Sequence, residues 1–200
     1  MDKPAAANAI EAFLRALGRD PAREPDLAGT GERVASAYAD ELCSGYAVDV
    51  GALLAGSTVQ TEAKATEVVV LRDVAVTTMC PHHLMPASGL ATVAFAPRGK
   101  LVGLGTLAAV VDAYTRRLTL QETIGERVVA ALVEHLSPHW AGCRLVLSHS
   151  CLTARGERKH GARAETLALA PHELDADTRA LALRALGPGG IGGVPQGVGE

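Results

Sequence analysis

The sequence predicts an α+β fold in which an antiparallel sheet carries two helices on one face and is preceded by N-terminal helices. Runs of β-branched residues, which favour strands, lie in two separate parts of the chain. Apolar residues at helical spacing fill the N-terminal region and the interval between the two strand regions. The order after the N-terminal helices is therefore β-β-α-α-β-β, and a length of 200 residues favours one main domain with appended segments.

Residues 1–60 are predicted to form a helical region. Ala6–Leu17 carries apolar residues at helical spacing, and a glycine and a proline stop the pattern. Thr30 can cap a second helix that continues as far as Ser44. A short third helix is expected near Val50–Leu54.

Residues 61–186 are predicted to form the main domain, which begins with two strands. β-branched residues run from Thr66 to Met79, and a second strand over Gly89–Ala96 follows a turn-like segment. Antiparallel pairing of these two strands places Cys80–Met85 in the connection between them.

Two helices follow, with apolar stripes that run from Leu104 to Tyr114 and from Ile124 to Leu136. A last helix is predicted over Glu173–Leu186. Residues 187–200 are rich in glycine and almost free of large apolar side chains, so we expect a flexible tail.

The second pair of strands lies between these helices and the last one. A strand that begins at Arg144 delivers His149 and Cys151, and Glu165–Ala170 can be its hairpin partner. Because side chains on a strand alternate between two faces, His149 and Cys151 are expected to share one face.

Composition excludes several classes of function. A net charge of −3 gives no sign of a nucleic-acid or anionic-membrane surface. No apolar run approaches the roughly 18 residues that a membrane span needs, and the N-terminus lacks the pattern of a secretion signal. We therefore expect a cytoplasmic protein, whose four cysteines are free or metal-bound thiols rather than disulfides.

Two mixed pairs of cysteine and histidine indicate a metal site. Cys80 and His83 have the spacing that lets a thiolate and an imidazole reach one ion, and His149 and Cys151 form the second pair. Either residue type alone is more often a buried core residue. A closed structural zinc site, with His82 or His149 as fourth ligand, and a catalytic site with three protein ligands both remain open.

Two segments resemble a known family. Thr78–His83, which reads TMCPHH, and His149–Gly156, which reads HSCLTARG, closely resemble the two signature segments of GTP cyclohydrolase I. Shorter matches elsewhere in the chain occur in the same order as in the family, and the resemblance covers roughly residues 8 to 170. These shorter matches are Gly29–Arg33, Tyr38–Glu41, Ala91–Ala94, Gly103–Leu104 and Leu120–Glu122.

The resemblance implies a tunnelling fold, with residues 61–186 as the catalytic domain, that assembles into a homodecamer with active sites at subunit interfaces. It implies a zinc-dependent hydrolase that opens the imidazole ring of GTP at C8, releases formate and forms 7,8-dihydroneopterin triphosphate for pterin and folate biosynthesis. The residues at matching positions are Cys80, His83 and Cys151 as Zn²⁺ ligands, His82 and His149 in proton transfer, Gln121 and Glu122 at the purine pocket, and Arg33 and Arg155 at the triphosphate.

The chain departs from the family at the phosphate end. Thr106 and Ala109 stand where the family has a lysine and an arginine for the triphosphate. This favours one alternative, a paralogue with the same zinc chemistry on a less phosphorylated purine or related heterocycle. A second alternative is a non-catalytic, zinc-stabilised oligomer, in which Glu122 is a helix-start acid and Arg33 and Arg155 are surface charges.

Overall fold

The computed structural model describes residues 1–62 and 67–189. The helices in this part are α1 (Lys3–Ala16), α2 (Thr30–Ser36), α3 (Val50–Ala55), α4 (Leu104–Thr115), α5 (Gln121–Leu136), α6 (Ser150–Thr153) and α7 (Ala176–Leu186). The strands are β1 (Thr58–Gln60), β2 (Val69–Met79), β3 (Pro86–Ala96), β4 (Lys100–Val102), β5 (Trp140–His149) and β6 (Ala164–Ala170). Thr66, the predicted start of the first long strand, and residues 190–200 of the predicted tail lie outside the described residues.

The long strands and their two helices confirm the predicted tunnelling fold. Apart from the short elements β4 and α6, the chain runs through β2, β3, α4, α5, β5 and β6 in the β-β-α-α-β-β order. The four strands form one antiparallel sheet in the order β2-β3-β5-β6. Among the described helices, none has both the length and the apolar character required to cross a bilayer.

The N-terminal helices are present as predicted, with two corrections. Gly29, in the left-handed conformation with a φ of 72°, is the N-cap of α2 in place of Thr30. Beyond Ser36 the helix widens into π-helical turns over Ala37–Leu42, so the single helix predicted as far as Ser44 is wrong in its second half. An apolar pattern with helical spacing does not reveal this local expansion of the hydrogen-bond ring.

The register of the sheet brings three strand ends together. Met79, the last residue of β2, pairs with Pro86, the first residue of β3. On the other side of β3, Ala87 pairs with His149, the last residue of β5. The carboxyl ends of β2 and β5 therefore lie on either side of the start of β3.

A second, two-stranded sheet was not predicted. β1 pairs antiparallel with β4, with Thr58 opposite Val102. Strands of three residues are too short to show the alternation on which sequence interpretation depends.

The main core lies between the sheet and helices α4 and α5. Its largest fully buried members are Leu54, Phe95, Leu107, Ile124, Leu132, Leu136, Leu145 and Leu147. Helix α7 covers part of the opposite face, where Trp140 packs with Ala182, Ala185 and Leu186. Because α5 is packed along its length, its first residue, Gln121, is held at the same end of the sheet as His149.

Candidate metal centre

The loop between β2 and β3 presents the first two candidate ligands. The Cys80 N–H donates to the Met85 carbonyl and the Leu84 N–H donates to the Cys80 carbonyl, both at 2.9 Å. Leu84 adopts the left-handed conformation with a φ of 50°, and the Tyr38 hydroxyl donates to its carbonyl at 2.9 Å. This tight turn places the Cys80 Sγ 3.7 Å from the His83 Nδ1.

The third candidate ligand comes from a helical turn and not from a strand. Pairing between β5 and β6 ends at Leu147, and β5 itself ends at His149. The next residues form α6, where the Thr153 hydroxyl donates to the His149 carbonyl at 3.2 Å. The prediction that His149 and Cys151 share a strand face is therefore wrong, because Cys151 lies on α6.

Cys80, His83 and Cys151 come together nonetheless. One ligand atom from each lies within 4.8 Å of the other two. The two thiols are half-buried and His83 is exposed. Two cysteine sulfurs and an imidazole nitrogen within 4.8 Å of one another are a donor set that suits a zinc ion.

The electrostatics of the two thiols fit a cation. Burial, followed by the neighbouring Cys80, raises the pKa of the Cys151 thiol, and the positive charge of Arg155 opposes this shift. Two adjacent thiolates repel each other, whereas a divalent cation between them stabilises both. The residues present therefore fit the zinc ion that the resemblance implies.

His149 is held by the first residue of α5. Its Nε2 lies 2.8 Å from the Gln121 Oε1, and the Gln121 side chain is almost fully buried, at 3% exposure. The Gln121 Nε2 donates to the carbonyls of Leu145 and Ala164 at 3.1 and 3.0 Å, and contacts the Thr166 hydroxyl at 3.2 Å. Both polar atoms of Gln121 thus contact atoms of its own chain.

The other two polar candidates lie at the surface near this group. His82 is exposed and meets the His83 ring edge-on, with ring centroids 6.3 Å apart. Glu122 is exposed on the first turn of α5 and lines a cavity of about 220 Å³ with Thr166 and Leu167 of β6. The structure therefore places His82 beside a candidate ligand and Glu122 against the outer edge of the sheet.

Comparisons with known proteins identify the family. The family model described as GTP cyclohydrolase I matches residues 6–186. The chain belongs to the GTP cyclohydrolase I family. It is an enzyme, as its two signature segments predicted.

Curated relatives named GTP cyclohydrolase 1 support this assignment. One from Allorhizobium ampelinum is 39% identical and covers 78% of this chain and 76% of its own. One from Synechococcus sp. is 41% identical, and the match covers 79% of this chain and 67% of the relative. One from Leptospira biflexa is 36% identical, and the match covers 81% of this chain and 86% of the relative. Among solved structures, apo archaeosine synthase QueF-Like has a TM-score of 0.42 and 19% identity over 53% of this chain and 95% of that chain. A similarity at that level carries no information about function.

The phosphate-end candidates of this GTP cyclohydrolase I family member differ in placement. Arg33, on α2, donates to the Ala28 carbonyl at 2.9 Å and contacts the Thr30 hydroxyl at 3.1 Å. Its guanidinium therefore folds back onto the start of α2 and the residues just before it. Arg155 is exposed directly after α6, close enough to Cys151 to affect the pKa of that thiol. Thr106 and Ala109 lie half-buried on α4.

Sequence interpretation missed Arg117, which links the N-terminal region to the end of β2, just before the loop that carries Cys80 and His83. Its guanidinium donates to the Ala113 carbonyl at 2.6 Å and to the Gly45 carbonyl at 2.8 Å. It also lies over the rings of Tyr46 and Tyr114, at 5.4 and 5.0 Å. No local pattern marks this residue, since Ala113 and Tyr114 lie within one helical turn of it but Gly45 is 72 residues away.

The backbone of Arg117 holds the end of β2. Its carbonyl accepts hydrogen bonds from the Thr78 hydroxyl at 3.2 Å and from the Met79 N–H at 3.4 Å. The Thr119 N–H donates in turn to the Met79 carbonyl at 3.2 Å. Both the N–H and the carbonyl of Met79, the residue before Cys80, are therefore hydrogen-bonded to the segment from Arg117 to Thr119.

Proposed function

We propose that this enzyme hydrolyses GTP at C8 of the purine, opens the imidazole ring, releases formate and leaves 7,8-dihydroneopterin triphosphate. The observation that carries the proposal is the convergence of Cys80, His83 and Cys151 within 4.8 Å. Their two chain segments are also those that resemble the family's signature segments.

We infer that these three residues bind one Zn²⁺. The chemistry that Zn²⁺ supplies when bound there is a water whose pKa is lowered to about 7, so that hydroxide is available for attack at C8. Three protein ligands leave one coordination position for that water, as in catalytic zinc sites.

Two histidines are suited to move the protons of the reaction. Ring opening requires a proton to leave the attacking water and protons to reach the ring nitrogens as carbon–nitrogen bonds break. Neutral imidazoles exchange protons near neutral pH. His82 is next to His83 in the chain, and His149 is two residues before Cys151, so both lie near the inferred ligands.

The substrate would be held at its two ends by charged groups. We assign Glu122 to the guanine edge, whose N–H groups are donors for a carboxylate, with Gln121 beside it. Arg155 and Arg33 are assigned to the phosphates. An Arg–phosphate pair is favoured because the planar guanidinium donates two hydrogen bonds at once.

We also propose a homo-oligomer, a decamer with active sites between subunits, built from a helical region over residues 1–60 and a catalytic domain over residues 61–186. Within the described residues, β2 and β6 are the edge strands of the four-stranded sheet, with 11 and 7 residues. Unpaired edges of this length are templates for pairing with another chain. Glu122 lies beside the β6 edge, where a second subunit would approach.

Thr106 and Ala109 favour a second candidate, the same reaction on a less phosphorylated purine or related heterocycle. Loss of two cations from a triphosphate site removes charge-assisted hydrogen bonds, worth about 1.5 to 3 kcal/mol each. The non-catalytic alternative is disfavoured by membership in an enzyme family and by the two histidines near the inferred ligands.

The test is to incubate the zinc-loaded enzyme with GTP, GMP and guanosine and to measure formate and, after oxidation, a fluorescent pterin. Cys151→Ala is the matched control without a complete ligand set. The proposal expects formate and pterin from GTP. A higher specificity constant with GMP or guanosine supports the second candidate, and no formate from any of the three contradicts both.

A further inference from the structure

The contacts of Gln121 determine which way its amide faces. Its Nε2 lies within 3.1 Å of two backbone carbonyl oxygens, those of Leu145 and Ala164. A carbonyl oxygen only accepts hydrogen bonds, so the atom that faces both must be the NH₂ group. The reversed amide would place its oxygen against two other oxygens in a buried position. The Oε1 is therefore the atom that faces His149.

The amide orientation in turn shows that the His149 Nε2 carries a hydrogen. The Gln121 Oε1 has no hydrogen and only accepts. At 2.8 Å from Oε1, the His149 Nε2 must therefore be the donor. A neutral imidazole carries one N–H, so its Nδ1 is unprotonated.

We propose that Gln121 is a positioning residue: its Oε1 orients the His149 ring by accepting a hydrogen bond from Nε2–H, so that in the neutral ring Nδ1 is the nitrogen without a hydrogen and is the one available to the substrate. The hydrogen on Nε2 follows from geometry, and the part played by Nδ1 rests on the proposed function. Burial strengthens the effect, because a side chain with 3% exposure has little water to replace a lost partner.

This role differs from the purine contact that the family resemblance implies for Gln121. A residue that contacts the substrate equally in the ground and transition states changes KM when it is removed. A residue that only orients a proton-transfer group lowers kcat and leaves KM nearly unchanged. The two roles thus predict opposite kinetic results for the same variant.

Two variants separate these roles. Gln121→Met keeps the length of the side chain but removes the amide. Thr166→Val is the matched control, since it removes one partner of the Gln121 Nε2 and leaves the two carbonyls that orient the amide. The readout is ¹⁵N solid-state NMR of zinc-loaded protein labelled in histidine, with the neutral His149 ring assigned by the signals that disappear in His149→Ala.

The proposal expects a protonated Nε2 and an unprotonated Nδ1 for His149 in the wild type and in Thr166→Val, and a mixture of tautomers in Gln121→Met. It expects kcat for GTP to fall about ten-fold or more in Gln121→Met, with KM within about two-fold of the wild type.

A protonated Nδ1 with a bare Nε2 in the wild type would overturn the proposal, even if Gln121→Met does not fold. So would a single, unchanged tautomer in Gln121→Met, or a raised KM with unchanged kcat. The NMR spectrum needs no turnover. If the wild type does not hydrolyse GTP, the proposed function fails while the tautomer assignment is still decided by the spectrum.

Discussion

Replacing Arg117 with methionine should destabilise the protein far more than the same change at Arg116. Arg117→Met removes two hydrogen bonds from a charged donor, to Ala113 and Gly45, and two cation–π contacts, to Tyr46 and Tyr114. Hydrogen bonds of this kind contribute about 1.5 to 3 kcal/mol each, and exposed cation–π pairs about 0.5 to 1 kcal/mol.

The expected loss is smaller than these contributions together, because the site is half-buried and water can reach the freed carbonyls. We expect the free energy of unfolding to fall by about 2 to 4 kcal/mol. Arg117→Lys should lose an intermediate amount, since lysine keeps the charge but not the planar fork of donors.

Arg116 is the matched control on the neighbouring residue. Its ion pair with Asp112 has an N–O distance of 3.4 Å, and the two side chains are 47% and 42% exposed. Exposed pairs contribute little, so Arg116→Met should cost less than about 0.5 kcal/mol.

Urea unfolding at one protein concentration, with the free energy extrapolated to water, measures all three variants. If Arg117→Met and Arg116→Met lose the same free energy, the reasoning about Arg117 is wrong.

Metal analysis should find one zinc per subunit in the wild type and clearly less in Cys151→Ala; full retention of zinc would exclude the proposed ligand set. His149→Ala should lose activity but keep its zinc, and an emptied site in this variant would favour a closed structural centre. The double change Thr106→Lys with Ala109→Arg should lower KM for GTP and hardly change that for guanosine, whereas an unchanged KM for GTP would mean that the phosphates bind elsewhere. Burial raises the pKa of Cys143 to about 12; the unfolded thiol titrates near 8.5. The folded state therefore binds more protons between these values, and stability should fall as the pH rises above about 9, by at most about 1.4 kcal/mol per pH unit. Cys143→Ala should make this slope shallower, as followed by urea unfolding at a series of pH values, and an unchanged slope would contradict the assignment.

Much of the architecture could be predicted because it depends on local periodicity. The strand that ends at Met79 shows a run of β-branched residues, and the helix that ends at Leu136 shows an apolar stripe at helical spacing. The two short signature segments also carried the candidate ligand residues, since Cys80 and His83 are close in sequence and reach each other across one turn.

What the sequence by itself determined about this protein is therefore its order of elements, its family and the residue types of its candidate metal centre. Only the tertiary structure decided that Cys151 reaches that centre from a helical turn, that Gln121 is buried against His149, and that Arg117 links Gly45 to the end of β2. The physical reason is the range of the interactions. Periodicity and turn chemistry act between near neighbours in the chain, whereas Gln121 is 24 residues from Leu145 and Arg117 is 72 residues from Gly45, so these pairs meet only when the sheet and helices pack.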